Sequence, residues 1–150
     1  MVSMNEEMWL EDLNVADRMY SGEEIAVTAQ EIMSFAHQFD PQPGHISEET
    51  ALGTPFHGLS ASGWHTAAIT QHLLTKLGFL GVIGADITLT WPTPTRPGDR
   101  LHLDGRITSK RESRTKPDRG IVGIEYDTVN QNGEIRQHTQ AVIIARHRPA

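Results

Sequence analysis

The sequence contains no cysteine among its 150 residues. That single absence excludes a disulfide framework, a thiolate metal site and a cysteine nucleophile, and it leaves the redox compartment open. Positive charge is also short: 13 Lys and Arg stand against 19 Asp and Glu, a formal net charge of −6. A nucleic-acid binder carries a broadly basic footprint, so nucleic acid is not an expected partner. Long apolar runs are missing too. The stretch from Thr50 to Thr75 has no Asp, Glu, Lys or Arg, yet Ser, Thr, Gln and His interrupt it throughout. Its apolar runs fall well short of the roughly 18 residues a membrane span needs, so it reads as a buried helix with no membrane partner. The first residues, MVSMNEEMWLEDLNV, are acidic and lack the basic and apolar regions of a signal peptide, which makes a cytoplasmic location the expectation. Repeats, low-complexity runs and linkers are also absent, so a single domain over 1–150 is expected.

What is present has a clear order. In VTAQEIMSFAHQF, Thr28 followed by Glu31 forms a capping box, with Thr28 as N-cap. Ile32, Phe35, Ala36 and Phe39 then follow the spacing of one buried helix face. The helix must stop at Asp40, because a residue before proline is pushed out of the α region. HGLSASGWHTAAITQHLLTKLG reads as a long, uncharged helix from near Leu59 to Gly78, wrapped on most sides. Beyond it, ADITLTW, LHLDGRI, IVGIEYDTV and EIRQHTQAVIIARH alternate as strands. Asn132-Gly133 marks a hairpin, and a short strand is expected around Glu24 to Val27. A meander after an uncharged helix, without βαβ rhythm, indicates an α+β fold with the sheet curled round the helix.

FDPQPGHISEE carries the chemistry. Asp40 and His45 stand five positions apart, with Pro41 and Pro43 between them. A carboxylate that orients an imidazole makes a competent general base near neutral pH, and a rigid loop suits positioned groups. The alternative is a helix-end loop with incidental polar residues. Gly58, at the expected start of the long helix, could offer its N–H to a developing oxyanion, or simply reverse the chain. Thr66, two turns into that helix, could reach the site or bond back to its own helix. His57, His65 and His72 lack metal-ligand spacing, so no metal is expected. GLSASG misses the nucleophile-elbow spacing. KRESRTKPDRG, with five basic residues among two acidic ones, could face a polyphosphate but reads better as a solvated hairpin tip.

These residues resemble the MaoC-like dehydratases, which include the (R)-specific enoyl-CoA hydratases. The family's D-x-N-P-x-H is matched by Asp40-Pro41-Gln42-Pro43-Gly44-His45, followed by His57-Gly58, and TRPGDRL is similar to its P-x-x-P-G-D turn. Gln42 departs from the family's asparagine. The resemblance implies a hot-dog fold, an antiparallel sheet wrapped around one long central helix, paired as a homodimer or dimer of dimers. It implies reversible hydration of a 2-enoyl thioester on coenzyme A or an acyl carrier, with Asp40 and His45 as the catalytic pair. Gly58 would be the oxyanion donor, and Thr66 would hydrogen-bond into the site. Phe56, Trp64 and Leu80 could line the acyl pocket. No cofactor is implied beyond the coenzyme A of the substrate. Hot-dog thioesterases, the competing reading, place a carboxylate on the long helix, and residues 59 to 75 have none. A non-catalytic acyl-CoA binding module is the third.

Overall fold

Helix α1 (Ala29–Phe39) starts and stops where its sequence dictates. The Thr28 hydroxyl accepts the Glu31 N–H at 3.1 Å and donates to the Glu31 carboxylate at 2.7 Å. Such a cap is worth about 1 kcal/mol. Asp40 closes the helix, its N–H still donating to the Ala36 carbonyl. Ile32 and Ala36 are fully buried, but Phe39 is 65% exposed, contrary to the single buried face expected. Its ring rests on Phe35, with centroids 5.1 Å apart, because the last turn runs past the core.

The computed structural model describes residues 7–79 and 83–150. Two short helices missed by the sequence pattern follow α1. Pro43 opens α2 (Pro43–Ile46) at the position where a missing N–H costs nothing. Only residues 41 and 42 are therefore loop, not the whole Pro-rich stretch. Ser47 then caps α3 (Glu48–Leu52) by accepting the Thr50 N–H. The long helix, α4 (Gly63–Lys76), begins four residues later than expected. Ser60 and Ala61 are instead tied to distant backbone, and Ser62 is the N-cap.

Strands β1 (Arg18–Tyr20), β2 (Ile25–Ala26), β3 (Ile83–Thr90), β4 (Arg100–Glu112), β5 (Arg119–Val129) and β6 (Ile135–Arg146) complete the fold. They form one antiparallel sheet in the order β1-β4-β5-β6-β3, with β2 also paired to β4. Strand β1 carries too little pattern in three residues to be read from sequence. Asn130 to Gly133 makes the expected hairpin, with Gly133 at φ +79 and the Asn130 side chain accepting two backbone N–H groups. The basic run falls on the exposed end of the β4–β5 hairpin.

Leu101, Leu103 and Ile107 share the inner face of β4, as their alternation predicts. They pack with Val122, Ile124, Ala141 and Ile143 against Leu73, Leu74 and Leu77 of the helix end. Each such side chain contributes roughly 1.5–3 kcal/mol by leaving water. Towards its N-terminus the helix–sheet contact turns polar: the Thr70 hydroxyl meets that of Thr128 at 2.6 Å. One face of α4, with Trp64, Ala68, Gln71 and His72, is exposed, so a single chain does not wrap the helix on most sides. No helix among the described residues is long and apolar enough to cross a membrane.

Candidate active site

Asp40 is placed by the forced end of α1, and His45 by the single turn of α2. Gln42 occupies the N-cap of that turn but makes no side-chain cap bond. The turn is braced from α3 instead, where the Thr50 hydroxyl donates to the Pro43 carbonyl at 2.7 Å. An asparagine, which caps well, would hold the turn from within.

The extended segment 59–62 runs alongside. The Ser60 N–H donates to the Gly44 carbonyl at 3.0 Å, and the Ala61 N–H to the Thr95 carbonyl at 2.9 Å. This segment supplies both groups that orient the pair. His45 Nδ1 lies 2.6 Å from the Ser60 carbonyl. A carbonyl only accepts, so Nδ1 carries the proton and neutral His45 presents Nε2 as its basic nitrogen. The tautomer is thus set by backbone, not by Asp40 as the sequence suggested. The Ser62 hydroxyl donates to Asp40 Oδ2 at 2.6 Å. His45 Nε2 and Asp40 Oδ2 face each other across 3.8 Å, too far for a direct hydrogen bond. His45 is 7% exposed.

A cavity of about 380 Å³ opens beside His45. Phe56, Gly63, Thr66, Trp91, Thr95 and Arg136 are among its walls. Thr66 is buried and bonds to the Thr95 hydroxyl at 2.8 Å, so it faces the cavity rather than only its own helix. Phe56 lines the cavity with its ring 5.8 Å from the imidazole. Trp64 does not: it is 61% exposed and stands edge-on to Trp91, which takes the wall instead. Leu80 lies outside the described residues.

Gly58 is not at a helix start. It lies five residues ahead of α4, outside the cavity lining, so the helix dipole does not act on its N–H. Its φ of +153, after His57 at φ +54, makes a turn that suits glycine. Arg96 holds this turn: its guanidinium donates to the Phe56, Gly58 and Leu59 carbonyls, the last two at 3.0 and 3.2 Å. Among the described residues the Gly58 N–H donates to no protein group.

The floor of the cavity is charged. Arg136 Nε and Nη2 meet Asp99 Oδ2 and Oδ1 at 2.9 and 3.2 Å, while Nη1 donates to Thr93 at 3.0 Å. Burial opposes the charge on Asp99. Hydrogen bonds from Arg136, the Arg96 N–H and Asn130 outweigh it, and the Asp99 pKa lies below its ordinary value. His65 stacks on Phe35 with centroids 4.6 Å apart, and its buried Nδ1 has no partner. Burial lowers its pKa against a small opposing pull from Glu31, so this histidine is neutral packing. Among the described residues no group of three or more His, Cys, Asp or Glu is placed to hold a metal ion.

Ser60, Ser62, Arg96 and Arg136 were not singled out from sequence. The motif TRPGD signals a turn but not the reach of Arg96, and Arg136 stands in the polar half of its strand, IRQHTQ, where nothing local sets it apart.

An antiparallel sheet packed on one long helix is the hot-dog fold, and beside the start of that helix His45 lines the cavity while Asp40 stands behind it, outside the lining, 3.8 Å from His45 Nε2. The family model of the MaoC like domain matches residues 13–130, and the chain belongs to that family. It is similar to the MaoC-like dehydratase from Rhodospirillum rubrum, with 47% identity, a TM-score of 0.90, and 95% and 99% of the two chains covered. It is 32% identical over 118 residues to YdeM of Bacillus subtilis (strain 168), described as uncharacterized, covering 76% of this chain and 82% of that one. The (R)-hydratase PhaJ1 from Pseudomonas aeruginosa shares the fold at a TM-score of 0.80 and 20% identity, with 97% and 90% of the chains covered.

Proposed function

We propose that the protein reversibly hydrates a trans-2-enoyl thioester to a 3-hydroxyacyl thioester, on coenzyme A or an acyl carrier. The observation that carries this is the 3.8 Å gap between His45 Nε2 and Asp40 Oδ2, each group oriented from behind by segment 59–62. The gap suits one water held by both groups. His45 takes the water proton as oxygen adds at C3, and the pair returns a proton to C2. The Gly58 N–H, which lies outside the cavity lining on a turn held by Arg96, is the proposed donor to the negative charge that builds on the thioester oxygen. Thr66 offers a hydroxyl to the bound acyl group. General acid–base catalysis contributes roughly 10²–10⁴-fold and an oxyanion donor roughly 10²–10³-fold. The scheme calls for no metal or redox cofactor. Relatives described as a dehydratase and an (R)-hydratase support the reaction class.

The test follows the enoyl-thioester absorbance of crotonyl-CoA with the wild-type protein. Loss of absorbance with 3-hydroxybutyryl-CoA as product is expected. Release of free coenzyme A thiol instead would replace hydration by thioester hydrolysis, and binding without turnover would leave a binding module.

We also propose that the working unit is a homodimer or a dimer of dimers. Among the described residues β3 pairs only with β6, leaving an edge beside exposed Ile87 and the bare face of α4. An unpaired strand edge next to apolar surface favours association. Light scattering after size exclusion is expected to give a multiple of the 16.7 kDa chain mass. A mass of one chain at micromolar concentration would sink the idea.

A further inference from the structure

Trp91, 41% exposed, forms part of the wall of the cavity beside His45, and its contacts hold it there. Trp91 packs so closely on Gly63, at the first turn of α4, that a Cβ there would meet the indole at 2.7 Å. The Trp91 Nε1–H donates to Gln137 Oε1 at 2.9 Å, and Gln137 Nε2 donates to the Thr139 hydroxyl at 3.1 Å. Gln137 is 1% exposed on β6, an inner strand of the sheet, so the indole is anchored to a buried side chain.

On the other side of that pair lies a second cavity, of about 280 Å³. Ala67, Thr70, Ile87, Leu89, Tyr126 and Gln137 are among its walls. The two cavities follow one another along α4: Gly63 and Thr66 line the first, Ala67 and Thr70 the second. The Trp91–Gln137 hydrogen bond joins a wall residue of the first to a wall residue of the second.

Resting on the thioester reading above, we infer that Trp91, held by Gln137, is a specificity-determining wall that confines the acyl group to short chains. A longer chain kept within the first cavity meets Thr66, Thr95 and Arg136, which are buried polar groups at 1%, 2% and 6% exposure. Methylenes laid on such groups gain little, whereas each methylene buried in apolar surroundings gains roughly fourfold in affinity. The second cavity, lined also by Ala68 and Gln71 of the exposed α4 face, lies beyond the Trp91–Gln137 pair, and on this inference the partly exposed indole keeps the chain from reaching it.

The experiment is calorimetric binding of butyryl-CoA and octanoyl-CoA, which requires no turnover, to wild type, Trp91→Ala, Gln137→Ala and Trp91→Phe. Wild type is expected to bind octanoyl-CoA no more tightly than butyryl-CoA. Trp91→Ala and Gln137→Ala, one removing the wall and the other its anchor, are expected to raise the octanoyl-to-butyryl affinity ratio at least about tenfold. Trp91→Phe keeps a ring in place, and its ratio is expected to stay within about threefold of wild type. Wild type that already prefers octanoyl-CoA overturns the inference, as do alanine variants that weaken both thioesters equally. If neither thioester binds wild type, the inference falls together with the thioester reading. If both bind but crotonyl-CoA is not hydrated, only the reaction is lost.

Discussion

Asp40→Asn and His45→Ala are each expected to lower kcat for the proposed hydration of crotonyl-CoA by about 10²–10⁴-fold, with KM changed far less. Asparagine keeps the shape of Asp40 and can still accept the Ser62 hydroxyl at its carbonyl oxygen, but it cannot take up a proton. His45→Ala removes the imidazole and leaves the Ser60 carbonyl without the Nδ1–H that it accepts. The double variant is expected to be little worse than either single one, because two groups that share one water act as a unit. Stopped-flow absorbance on all three, with thermal melts to confirm folding, checks this. An Asp40→Asn enzyme within about threefold of wild type in kcat would remove the carboxylate from the mechanism.

The second large effect is on stability. Asp99→Ala leaves buried Arg136 with only the half-exposed Glu134 carboxylate at 3.7 Å, and Arg136→Ala leaves Asp99 with neutral donors, a loss of roughly 3–5 kcal/mol. For a chain of this size, each kcal/mol moves Tm by about 2–4 °C, so a fall of roughly 6–20 °C is expected. Urea unfolding of Asp99→Asn, Arg136→Met and their combination completes a double-mutant cycle. The double variant should recover much of the single losses, since two neutral groups of similar size replace the pair. The pH dependence has a definite sign. The Asp99 pKa is lowered in the fold, so its contribution is present above the unfolded carboxylate value and is lost as pH falls through the lowered folded one. Stability of wild type should therefore drop more steeply in acid than that of Asp99→Asn. Parallel acid limbs would show that the pair does not stabilise the fold through its charge.

The features that were legible in the sequence were local ones. Thr28, Glu31 and the Asp40-Pro41 step mark both ends of α1 within one short stretch, and Asn132-Gly133 marks its hairpin by backbone preference alone. Asp40 and His45 could be read together because one helix end and one helical turn hold them in the same short stretch. The start of α4 was misplaced because Ser60 and Ala61 are drawn out by carbonyls of Gly44 and Thr95, and no neighbouring residue announces those partners. Ser62 and Arg136 were hidden for the same reason: their partners, Asp40 and Asp99, lie 22 and 37 positions away. Trp64 and Trp91 carry the same side chain, and only the packing of Trp91 on Gly63 decides which one lines the cavity.

The group that fixes the His45 tautomer is a main-chain carbonyl. Every amino acid carries that atom, so replacing Ser60 changes the side chain without deleting the acceptor. The hydroxyl of Ser60, 3.4 Å from Nδ1, is at the limit of a hydrogen bond and is the only part that genetic drift can remove. The imidazole is thereby insulated against mutation at the position that orients it. Asp40 has no such protection, because its donor is the side chain of Ser62 and a single codon change abolishes it.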